Sequence, residues 1–359
     1  MKKVLISAGG TGGHIIPAVA IAHELMFNNV KVLFAGNGNS LEETVCQKEN
    51  IDFTTLDVQK LYRKITLAHL RFPGKLCKSI GKSIKIIRDF EPDIFLGTGG
   101  FVSGPTGIAS VIKKVPIFLQ EQNSFPGLTS RFLGHFARKI FLGNAGAKKY
   151  FPEKKVIFSG NPLRADILNV KNKVTPEELG LRKDSFKILL IGGSQGSRAI
   201  NRNFLAIIDT LIEQGMEVIW QVGKLDFPGI SETLQDKKGI YAFAFSHDMP
   251  GYYEMADIAI SRAGALTLAE LETKRIPVIV IPLPSAAGNH QYYNALELIN
   301  KGTALLLEQK DLSAGHLLKA IMKLKKQYPV FRKNFTNSLH ENALQLITRI
   351  LLRELENRG

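Results

Sequence analysis

Both halves of the chain begin in the same way, with a short apolar strand, a glycine-rich loop and then a helix. The first half opens with Lys3–Ser7 followed by Gly9–Gly13, and the second with Lys187–Ile191 followed by Gly192–Gly196. A buried strand that runs through glycines into a helix is typical of a parallel α/β domain, because parallel strands are joined by crossover helices. Two such openings in one chain predict two doubly wound domains.

Further apolar segments continue this alternation. The predicted strands after the two opening ones are 30–35, 94–96, 117–119, 139–142, 156–159, 218–222, 240–245, 257–261 and 277–281. Helices are expected at 15–26, 201–212 and 339–355, the last with Leu339, Ala343, Ile347 and Leu355 on one apolar stripe. Continuous apolar strands separated by helices indicate parallel sheets covered on both faces, and 359 residues suffice for two such domains. The break is expected near Asn161-Pro162.

The charge of the chain is uneven. The formal net charge is +15, and residues 1–160 carry 22 Lys and Arg against 11 Asp and Glu. A one-sided positive field indicates a polyanionic partner such as nucleic acid, an anionic membrane or a phosphorylated substrate. Cys46 and Cys77 form no CxxC pair, which argues against disulfides and structural zinc. With no apolar stretch near ~18 residues and no secretory h-region, a cytoplasmic location is expected.

Four segments place glycine or small residues where a strand ends and a helix begins. They are GGTGGH at 9–14, GTGG at 97–100, GGSQG at 192–196 and SRAGALT at 261–267. This edge of an open α/β sheet binds ligands, since glycine admits a close backbone approach and the helix N-terminus supplies unpaired N–H groups. Any one loop is explained equally well as a tight turn, but four at one edge favour a site for pyrophosphates.

The spacing of the glycines excludes the common nucleotide motifs. After Gly10 and Gly12 the third glycine of G-x-G-x-x-G would fall at Ile15, and after Gly97 and Gly99 at Val102. No Lys-Ser or Lys-Thr pair follows the glycines, so a P-loop is not supported either. No Asp-x-Asp occurs and the eight histidines are scattered. We therefore expect no metal ion and no nicotinamide cofactor.

Seven motifs follow one another in a characteristic order. They are GGTGGHIIPA at 9–18, GTGGFVSGP at 97–105, QEQNSFPGLTSR at 120–131, GNPLR at 160–164, GGSQGSRAIN at 192–201, SRAGALTLAE at 261–270 and NHQYYNA at 289–295. Together they resemble the MurG family of peptidoglycan N-acetylglucosaminyltransferases. The resemblance implies a GT-B fold, with two Rossmann-like domains separated by a cleft. It implies an acceptor- and membrane-binding domain of residues 1–161 plus 339–359 and a UDP-sugar domain of residues 162–338.

The resemblance also implies a reaction. N-acetylglucosamine passes from UDP-N-acetylglucosamine to the 4-hydroxyl of undecaprenyl-pyrophosphoryl-N-acetylmuramyl-pentapeptide (lipid I), with inversion, to form lipid II for peptidoglycan synthesis and hence cell shape and division. No cofactor is implied, and the chemistry is metal-independent. The implied location is peripheral, on the cytoplasmic face of the cell (inner) membrane, with other proteins of cell-wall synthesis as possible partners.

An inverting displacement needs a base on the acceptor hydroxyl. His14 is one candidate, because the usual histidine pKa of ~6.5 suits proton uptake near neutrality, and Glu121 is the other. The alternatives are that His14 only caps the following helix or binds phosphate, and that Glu121 only ties the 120–131 loop in place. The sequence leaves the choice open.

The leaving diphosphate is expected on the N-terminus of the helix that begins near Ala265, with further donors nearby. By the resemblance, Glu270 holds the ribose, Gln291 the sugar and the backbone around Ser246 the uracil. The expected donor-binding residues are Thr11, Gly12, Gly13, Asn123, Arg164, Ser194, Gln195, Ser246, Ala265, Leu266, Thr267, Leu268, Ala269, Glu270 and Gln291. The expected acceptor-binding residues are Gly12, Gly13, His14, Gly99, Gly100 and Asn123. Two residues depart from the family: Gln120 replaces a frequent His, and Ser246 a usually apolar residue.

Residues 58–88 contain nine Lys and Arg but no Asp or Glu. Leu76, Ile80, Ile84 and Ile87 form one helical face that we expect to pack on the sheet, so that the lysines face solvent and the segment around Leu70–Phe72 contacts lipid. Each basic residue near an anionic leaflet contributes ~1 kcal/mol, which supports reversible peripheral binding. Nucleic acid is not expected, because no aromatic stacking platform accompanies the lysines.

Two other enzyme functions stay open at this point. A UDP-sugar transferase to another lipid acceptor, such as diacylglycerol, would share the donor residues and differ at 9–14 and 120–131. A non-hydrolysing UDP-sugar epimerase has the same fold, but it releases no UDP in net turnover and needs no basic surface.

Overall fold

The computed structural model describes residues 1–59, 68–170, 174–193, 195–246 and 248–358, with the backbone alone for 68–71. The chain divides into two compact units. Unit 1 comprises Met1–Arg164 and Leu339–Gly359, and unit 2 comprises Ala165–Ser338. Residues 162–164, expected in the second domain, therefore lie in unit 1. No helix among the described residues has the length and apolar character needed to cross a membrane.

Unit 1 contains a seven-stranded parallel sheet in the order β3-β2-β1-β4-β5-β6-β7. Its strands are β1 Lys3–Ser7, β2 Lys31–Asn37, β3 Phe53–Leu56, β4 Ile94–Gly97, β5 Ile117–Glu121, β6 Lys139–Leu142 and β7 Val156–Phe158. Its first helices are α1 Gly12–Phe27, α2 Leu41–Lys48, α3 Ala68–Phe90, α4 Ser103–Ile112 and α5 Leu128–Gly134. The strand order reverses between β1 and β4, and ligands bind at such a switch point in open α/β sheets.

Unit 2 repeats this topology with six parallel strands in the order β10-β9-β8-β11-β12-β13. The strands are β8 Phe186–Ile191, β9 Met216–Gln221, β10 Ile240–Phe243, β11 Ile258–Ser261, β12 Val278–Val280 and β13 Ala304–Leu306. The helices are α6 Ala165–Leu168, α7 Arg198–Leu205, α8 Ile208–Glu213, α9 Phe227–Leu234, α10 Met249–Met255, α11 Ala265–Thr273, α12 His290–Asn300, α13 Ala314–Lys326 and α14 Tyr328–Lys333. The switch point lies between β8 and β11. Two doubly wound parallel sheets confirm the predicted α/β class.

Two strands were not predicted, and one helix prediction was wrong. The sequence did not indicate the edge strands β3 and β13, since FTTL and ALL are too short to show an apolar run. The single helix predicted over 201–212 is two helices, because the backbone at Ile207 (φ −117°, ψ 1°) leaves the helical region between α7 and α8.

The C-terminal helix α15, Ala343–Glu356, packs against α1 in unit 1. Ile347 and Leu351 are fully buried in the same apolar cluster as Ile21 and Leu25. Leu339 does not belong to this stripe as predicted: it lies in a 3₁₀ turn before α15 and is 62% exposed. The apolar stripe is therefore covered by unit 1, to which the C-terminal segment returns.

Candidate active site

The loops after β1 and β4 meet at the switch point of unit 1. Gly99 (φ +103°) and Gly100 (φ +80°) both have left-handed backbone conformations that favour glycine. A Cβ added to Gly100 would lie 2.1 Å from the carbonyl oxygen of Gly9, so the two loops pack backbone against backbone. This close approach explains why both segments are rich in glycine. We call the surface formed by the loops after β1 (9–14), β4 (97–100) and β5 (121–123) the unit 1 edge.

Helix α1 starts at this edge, earlier than the sequence predicted. It begins at Gly12 with Thr11 as its N-cap, so His14 lies inside the first turn and does not cap the helix. Thr11 forms no side-chain capping bond with any residue that the structure describes. Thr11 and Gly13 are exposed, and Gly12 and His14 are half-buried. The first turn contains no acidic residue, so no carboxylate of the turn would repel an anion bound at this helix N-terminus.

His14 is held by the residues that follow β4 and β5. Its ring Nδ1 lies 2.9 Å from Oε1 of Gln122, and its backbone carbonyl oxygen accepts a hydrogen bond of 2.8 Å from Oγ1 of Thr98. The ring also packs on Gly99, where an added Cβ would lie 2.8 Å from Nδ1. His14 thus has a defined position at the unit 1 edge, beside Gly99 and Gly100.

Glu121 is oriented towards its own loop. Its side chain is 1% exposed, and Oε1 accepts hydrogen bonds from the backbone N–H of Asn123 (3.1 Å) and from Nδ2 of the same residue (3.2 Å). A carboxylate used in this way positions Asn123, which is half-buried at the edge. This geometry favours the structural alternative for Glu121 over the role of base.

The rest of the 120–131 segment is fixed by Arg131. Its guanidinium lies between the rings of Phe125 and Tyr150, 4.2 Å from each ring centroid, and Nε donates to the carbonyl oxygen of Pro126 at 3.1 Å. Stacked cation–π contacts of this kind contribute ~0.5–2 kcal/mol each. The loop that carries Asn123 is therefore held at both ends.

Unit 2 has an equivalent edge, formed by the loops after β8 and β11. Gly196 (φ +77°) approaches the end of β9, where its added Cβ would lie 2.2 Å from the carbonyl oxygen of Val222. Helix α11 begins at Ala265 with Gly264 as its N-cap, so its first-turn N–H groups point to this edge. Gln195 is exposed in the first of the two loops, and Ser194 lies outside the described residues. We call this surface the unit 2 edge.

Arg262 joins the loops of the unit 2 edge, a role that the sequence did not reveal. Nη1 donates to the carbonyl oxygens of Ile281 (3.1 Å) and Pro282 (3.2 Å), and Nη2 donates to Oγ of Ser197 and Oε1 of Gln309, both at 2.7 Å. Burial lowers the pKa of Arg262, but arginine keeps its charge in proteins. Because these four acceptors are neutral, the guanidinium adds positive potential beside the start of α11.

Two further polar side chains at this edge are oriented by hydrogen bonds. Oε1 of Gln291 accepts hydrogen bonds from the N–H groups of Ala263 (3.2 Å) and Leu283 (2.9 Å). The amide nitrogen of Gln291 therefore points away from these two N–H groups. Glu270, in the second turn of α11, accepts a bond of 2.6 Å from the hydroxyl of Tyr253. Both are half-buried, as are Ala265, Leu266 and Thr267. In contrast, Leu268 and Ala269 are core residues, so their side chains do not line the edge as expected.

The loop after β10 carries Ser246, whose Oγ accepts from the N–H of Asp248 (2.9 Å) and donates to the hydroxyl of Tyr252 (3.4 Å). Burial, with smaller contributions from its neighbours, raises the pKa of Tyr252 to about 12. The preceding Phe245 is 43% exposed. An exposed aromatic ring at the carboxyl end of a parallel strand suits stacking on a base, and the sequence analysis missed it.

The structure thus divides the expected site residues between the two units. Thr11, Gly12, Gly13, His14, Gly99, Gly100, Glu121 and Asn123 lie at the unit 1 edge. Gln195, Ser246, Ala265, Leu266, Thr267, Glu270 and Gln291 lie in unit 2, and half-buried Arg164 is the last residue of unit 1 before α6. Among the described residues, no three His, Cys, Asp or Glu side chains lie close enough together to hold a metal ion.

The basic stretch is described from residue 68 onwards, where it lies in helix α3. Ile87 is buried and Leu76, Ile80 and Ile84 are half-buried, as expected. The exposed basic residues are Lys75, Lys78, Lys82, Lys85 and Arg88. Lys60, Arg63 and Lys64, and the side chains of Leu70 and Arg71, lie outside the described part of the chain, so the expected lipid contact there is not described.

Exposed apolar residues lie instead on the neighbouring helices, where the sequence analysis did not expect them. Leu128 (75% exposed) and Phe132 (51%) lie on α5, Phe136 (48%) lies two residues after its end, and Ile112 (56%) ends α4. The rings of Phe132 and Phe136 lie 5.4 Å apart. Helices α3, α4 and α5 share one core cluster through Ile87, Ala109 and Leu133, and α4 contacts both others. The lysines of α3 and these four apolar residues form what we call the basic-apolar surface.

Two doubly wound sheets with open helix N-termini at their switch points define a protein of the GT-B class of nucleotide-sugar enzymes. The chain belongs to glycosyltransferase family 28: the N-terminal domain of this family matches residues 4–142 and its C-terminal domain matches residues 187–349. The resemblance to the MurG family is thereby confirmed.

Curated relatives and solved structures agree with this assignment. A Flavobacterium psychrophilum protein is 40% identical over 316 residues (87% of this chain, 86% of that protein), and a Bacillus subtilis protein is 34% identical over 324 residues (89% of each). Both are named UDP-N-acetylglucosamine–N-acetylmuramyl-(pentapeptide) pyrophosphoryl-undecaprenol N-acetylglucosamine transferase. Acinetobacter baumannii MurG shares the fold (TM-score 0.79, 24% identity, 98% of this chain and 100% of that chain). So does a Neisseria meningitidis UDP-GlcNAc 2-epimerase bound to UDP-GlcNAc (TM-score 0.68, 17% identity, 98% and 100%).

Proposed function

We propose that this protein is a hexosyltransferase that passes N-acetylglucosamine from UDP-N-acetylglucosamine to undecaprenyl-pyrophosphoryl-N-acetylmuramyl-pentapeptide, which yields lipid II. The names of relatives that match most of the chain support this function. The observation that carries it is the oriented imidazole of His14 inside the first turn of α1, at an edge whose backbone suits a pyrophosphate. An epimerase on the same fold is the second candidate, since the fold alone does not separate the two.

The unit 2 edge is the proposed donor site. The first-turn N–H groups of α11 donate hydrogen bonds to the diphosphate of UDP, and the charge of Arg262 adds to the field there. Glu270 accepts hydrogen bonds from the ribose hydroxyls, and the amide nitrogen of Gln291 donates to the sugar. Phe245 stacks on the uracil while the backbone at Ser246 binds its edge. These assignments use groups whose orientation is already determined by hydrogen bonds.

The unit 1 edge is the proposed acceptor site. The N–H groups of Gly12 and Gly13 bind the lipid pyrophosphate, and Asn123, held by Glu121, contacts the muramyl sugar. Nε2 of His14 takes the proton of the 4-hydroxyl as its oxygen attacks the anomeric carbon. The bond from that carbon to the β-phosphate oxygen breaks at the same time, and UDP leaves with the electron pair. A single displacement of this kind inverts the anomeric carbon.

The function is tested by incubating the protein with UDP-N-acetylglucosamine and a short-chain lipid I analogue. We expect one UDP released for each disaccharide formed, and neither product when the acceptor is omitted. An epimerase would convert the UDP-sugar to an isomer without any acceptor and without net release of UDP. A folded protein that binds UDP but forms no disaccharide would reject the proposal.

We further propose that the basic-apolar surface binds anionic lipid reversibly, which places the protein peripherally at the membrane that carries its acceptor. Support comes from the five exposed basic residues of α3 and from exposed Leu128, Phe132 and Phe136, which α4 connects to α3. Burial of one large apolar side chain contributes ~1.5–3 kcal/mol, and each basic residue ~1 kcal/mol. A lipid-linked substrate makes this location useful.

Native Cys77 offers a direct test of this surface. Cys77 is exposed on α3, whereas Cys46 is fully buried and burial, with Glu42 nearby, raises the pKa of its thiol to about 12. A maleimide fluorophore is therefore expected to label Cys77 alone in the folded protein. We expect its emission to shift with phosphatidylglycerol vesicles but not with phosphatidylcholine vesicles, and salt to weaken the binding.

A double variant, Phe132→Ser with Phe136→Ser, should weaken vesicle binding at least about tenfold, since two aromatic rings no longer enter the lipid. Leu225, which is 71% exposed in unit 2, provides the matched control, and Leu225→Ser should bind like the unsubstituted protein. Equal binding by both variants would exclude Phe132 and Phe136 from the membrane contact. Equal binding to phosphatidylglycerol and phosphatidylcholine vesicles would exclude an electrostatic contribution of the α3 lysines to membrane binding.

A further inference from the structure

We infer that Gln122 is a positioning residue for catalysis: its amide holds the proton of neutral His14 on Nδ1 and so presents Nε2 as the base. The inference rests on the proposed function, in which His14 accepts the proton of the acceptor hydroxyl. It assigns a role to a residue that the sequence analysis did not select, although Gln122 stands between two residues that it did select.

The orientation of the Gln122 amide is determined by its neighbours. The side chain is 1% exposed, and Nε2 donates to the carbonyl oxygen of Thr98 at 2.8 Å and to Oε1 of Gln120. Both hydrogens of the NH₂ group are used in these bonds. A flipped amide would place its oxygen against two acceptors, so Oε1 is the atom that faces Nδ1 of His14, at 2.9 Å.

The side-chain amides of Gln120 and Asn161 fix the orientation of the Gln122 amide. Nε2 of Gln120 donates to Oδ1 of Asn161 (3.2 Å), and Nδ2 of Asn161 donates back to the carbonyl oxygen of Gln122 (3.2 Å). All three side chains are buried. Because a buried amide group left unsatisfied costs ~1–3 kcal/mol, the ring of bonds resists reversal of any one member. Gln120, which replaces a histidine that is frequent in the family, therefore helps to orient Gln122.

The chemical consequence for His14 follows from the donor and acceptor inventory. An amide oxygen only accepts, so Nδ1 must carry the hydrogen, and in the neutral imidazole the lone pair is then on Nε2. Gly99 leaves room for the ring in this position, since a Cβ added there would lie 2.8 Å from Nδ1. An amide also carries no charge, so it orients the ring without the attraction for a second proton that a carboxylate partner exerts.

The tautomer of His14 is observable by nitrogen NMR with ¹⁵N-histidine in the full-length protein. At about pH 8.5, about two units above the usual histidine pKa, we expect the His14 signal to show a protonated Nδ1 and an unprotonated Nε2. The signal is identified among the eight histidines by its absence from His14→Ala. In Gln122→Met, which keeps the length but lacks the acceptor, we expect the Nδ1–H form to lose its dominance.

Kinetics of the same variant provide the second readout. Gln122→Met should lower kcat at least about tenfold, since a positioned base contributes ~10²–10⁴-fold and part of that is lost. The KM for UDP-N-acetylglucosamine should stay within about twofold, because the amide does not contact the proposed donor groups of unit 2. Asn144→Ala is the matched control: Nδ2 of Asn144 donates to the carbonyl oxygen of Gln122 (2.7 Å) and not to its side chain. That control should leave the tautomer and kcat unchanged.

The outcomes separate the inference from the function on which it rests. A wild-type His14 with the hydrogen on Nε2 would overturn the role of Gln122, whether or not Gln122→Met folds. An Asn144→Ala effect as large as that of Gln122→Met would also overturn it, since general loop damage would then explain the loss. A folded protein with the Nδ1–H tautomer but no transfer would overturn the proposed function and leave the geometric assignment in place.

Discussion

Replacement of His14 by Ala is expected to lower kcat for N-acetylglucosamine transfer by about 10²–10⁴-fold, the range that a positioned general base contributes. The loss follows because Glu121, the other candidate base, cannot replace Nε2 of His14. The carboxylate of Glu121 is buried and accepts hydrogen bonds from Asn123. UDP release in the presence of a short-chain lipid I analogue measures the effect. The dissociation constant for UDP should not change, since the proposed UDP groups belong to unit 2.

His23→Ala is the matched control for this variant. His23 lies on the same helix, and its Nε2 lies 3.3 Å from a carboxylate oxygen of Glu49 at the surface. It should retain wild-type kcat, because exposed pairs contribute little. If His14→Ala kept more than a third of the activity, His14 would not be the base. A 10²-fold loss in Glu121→Gln alongside active His14→Ala would then favour Glu121.

The second large effect is expected at the donor site. Glu270→Ala should raise the KM for UDP-N-acetylglucosamine and the dissociation constant of UDP by about 10–100-fold, with a smaller change in kcat. Hydrogen bonds to a charged group contribute ~1.5–3 kcal/mol, and the loss of the ribose contact corresponds to this range. The carboxylate is already oriented by Tyr253, so little of this energy is needed to order it. Calorimetric titration with UDP measures the change directly.

Two further variants test whether the Glu270 result is specific. Tyr253→Phe removes only the hydroxyl that orients Glu270 and should raise the dissociation constant of UDP by several-fold. Asp209→Ala removes an exposed carboxylate of unit 2 that pairs with Lys237 at the surface, and should bind UDP normally. Wild-type affinity for UDP in Glu270→Ala would remove the ribose assignment. That result would leave the proposed diphosphate site at the N-terminus of α11 in place, since UDP would still bind.

Much of the fold was predictable, and the reason is the physical character of parallel sheets. Strands such as Lys3–Ser7 and Ile188–Ile191 are buried on both faces, so they appear as continuous apolar runs that end in glycine. Short edge strands lack this signal, and β3 and β13 were missed for that reason. The start of α1 was placed three residues late, since Gly12 and Gly13 are weak helix formers whose place in the first turn depends on the neighbouring loop.

The candidate site was predictable only in part. The glycine loops and the motif residues around them indicated both edges, because tight approaches such as that of Gly100 to Gly9 require glycine in the sequence. Exposed surfaces were less accessible to prediction. Phe132 and Phe136 have the four-residue spacing of core residues on a helix, and only the folded chain shows that the two rings are exposed, one on α5 and one just after it.

The residue order alone therefore specified two doubly wound domains, their ligand-binding edges and the family, since these depend on local patterns of apolar and glycine residues. The partners of each functional group depended on the folded chain. Gln122 meets His14 across 108 positions, and Arg262 reaches Gln309 across 47. Hydrogen bonds form between side chains that separate strands bring to one sheet edge, and no local pattern encodes which of the available donors and acceptors will meet there.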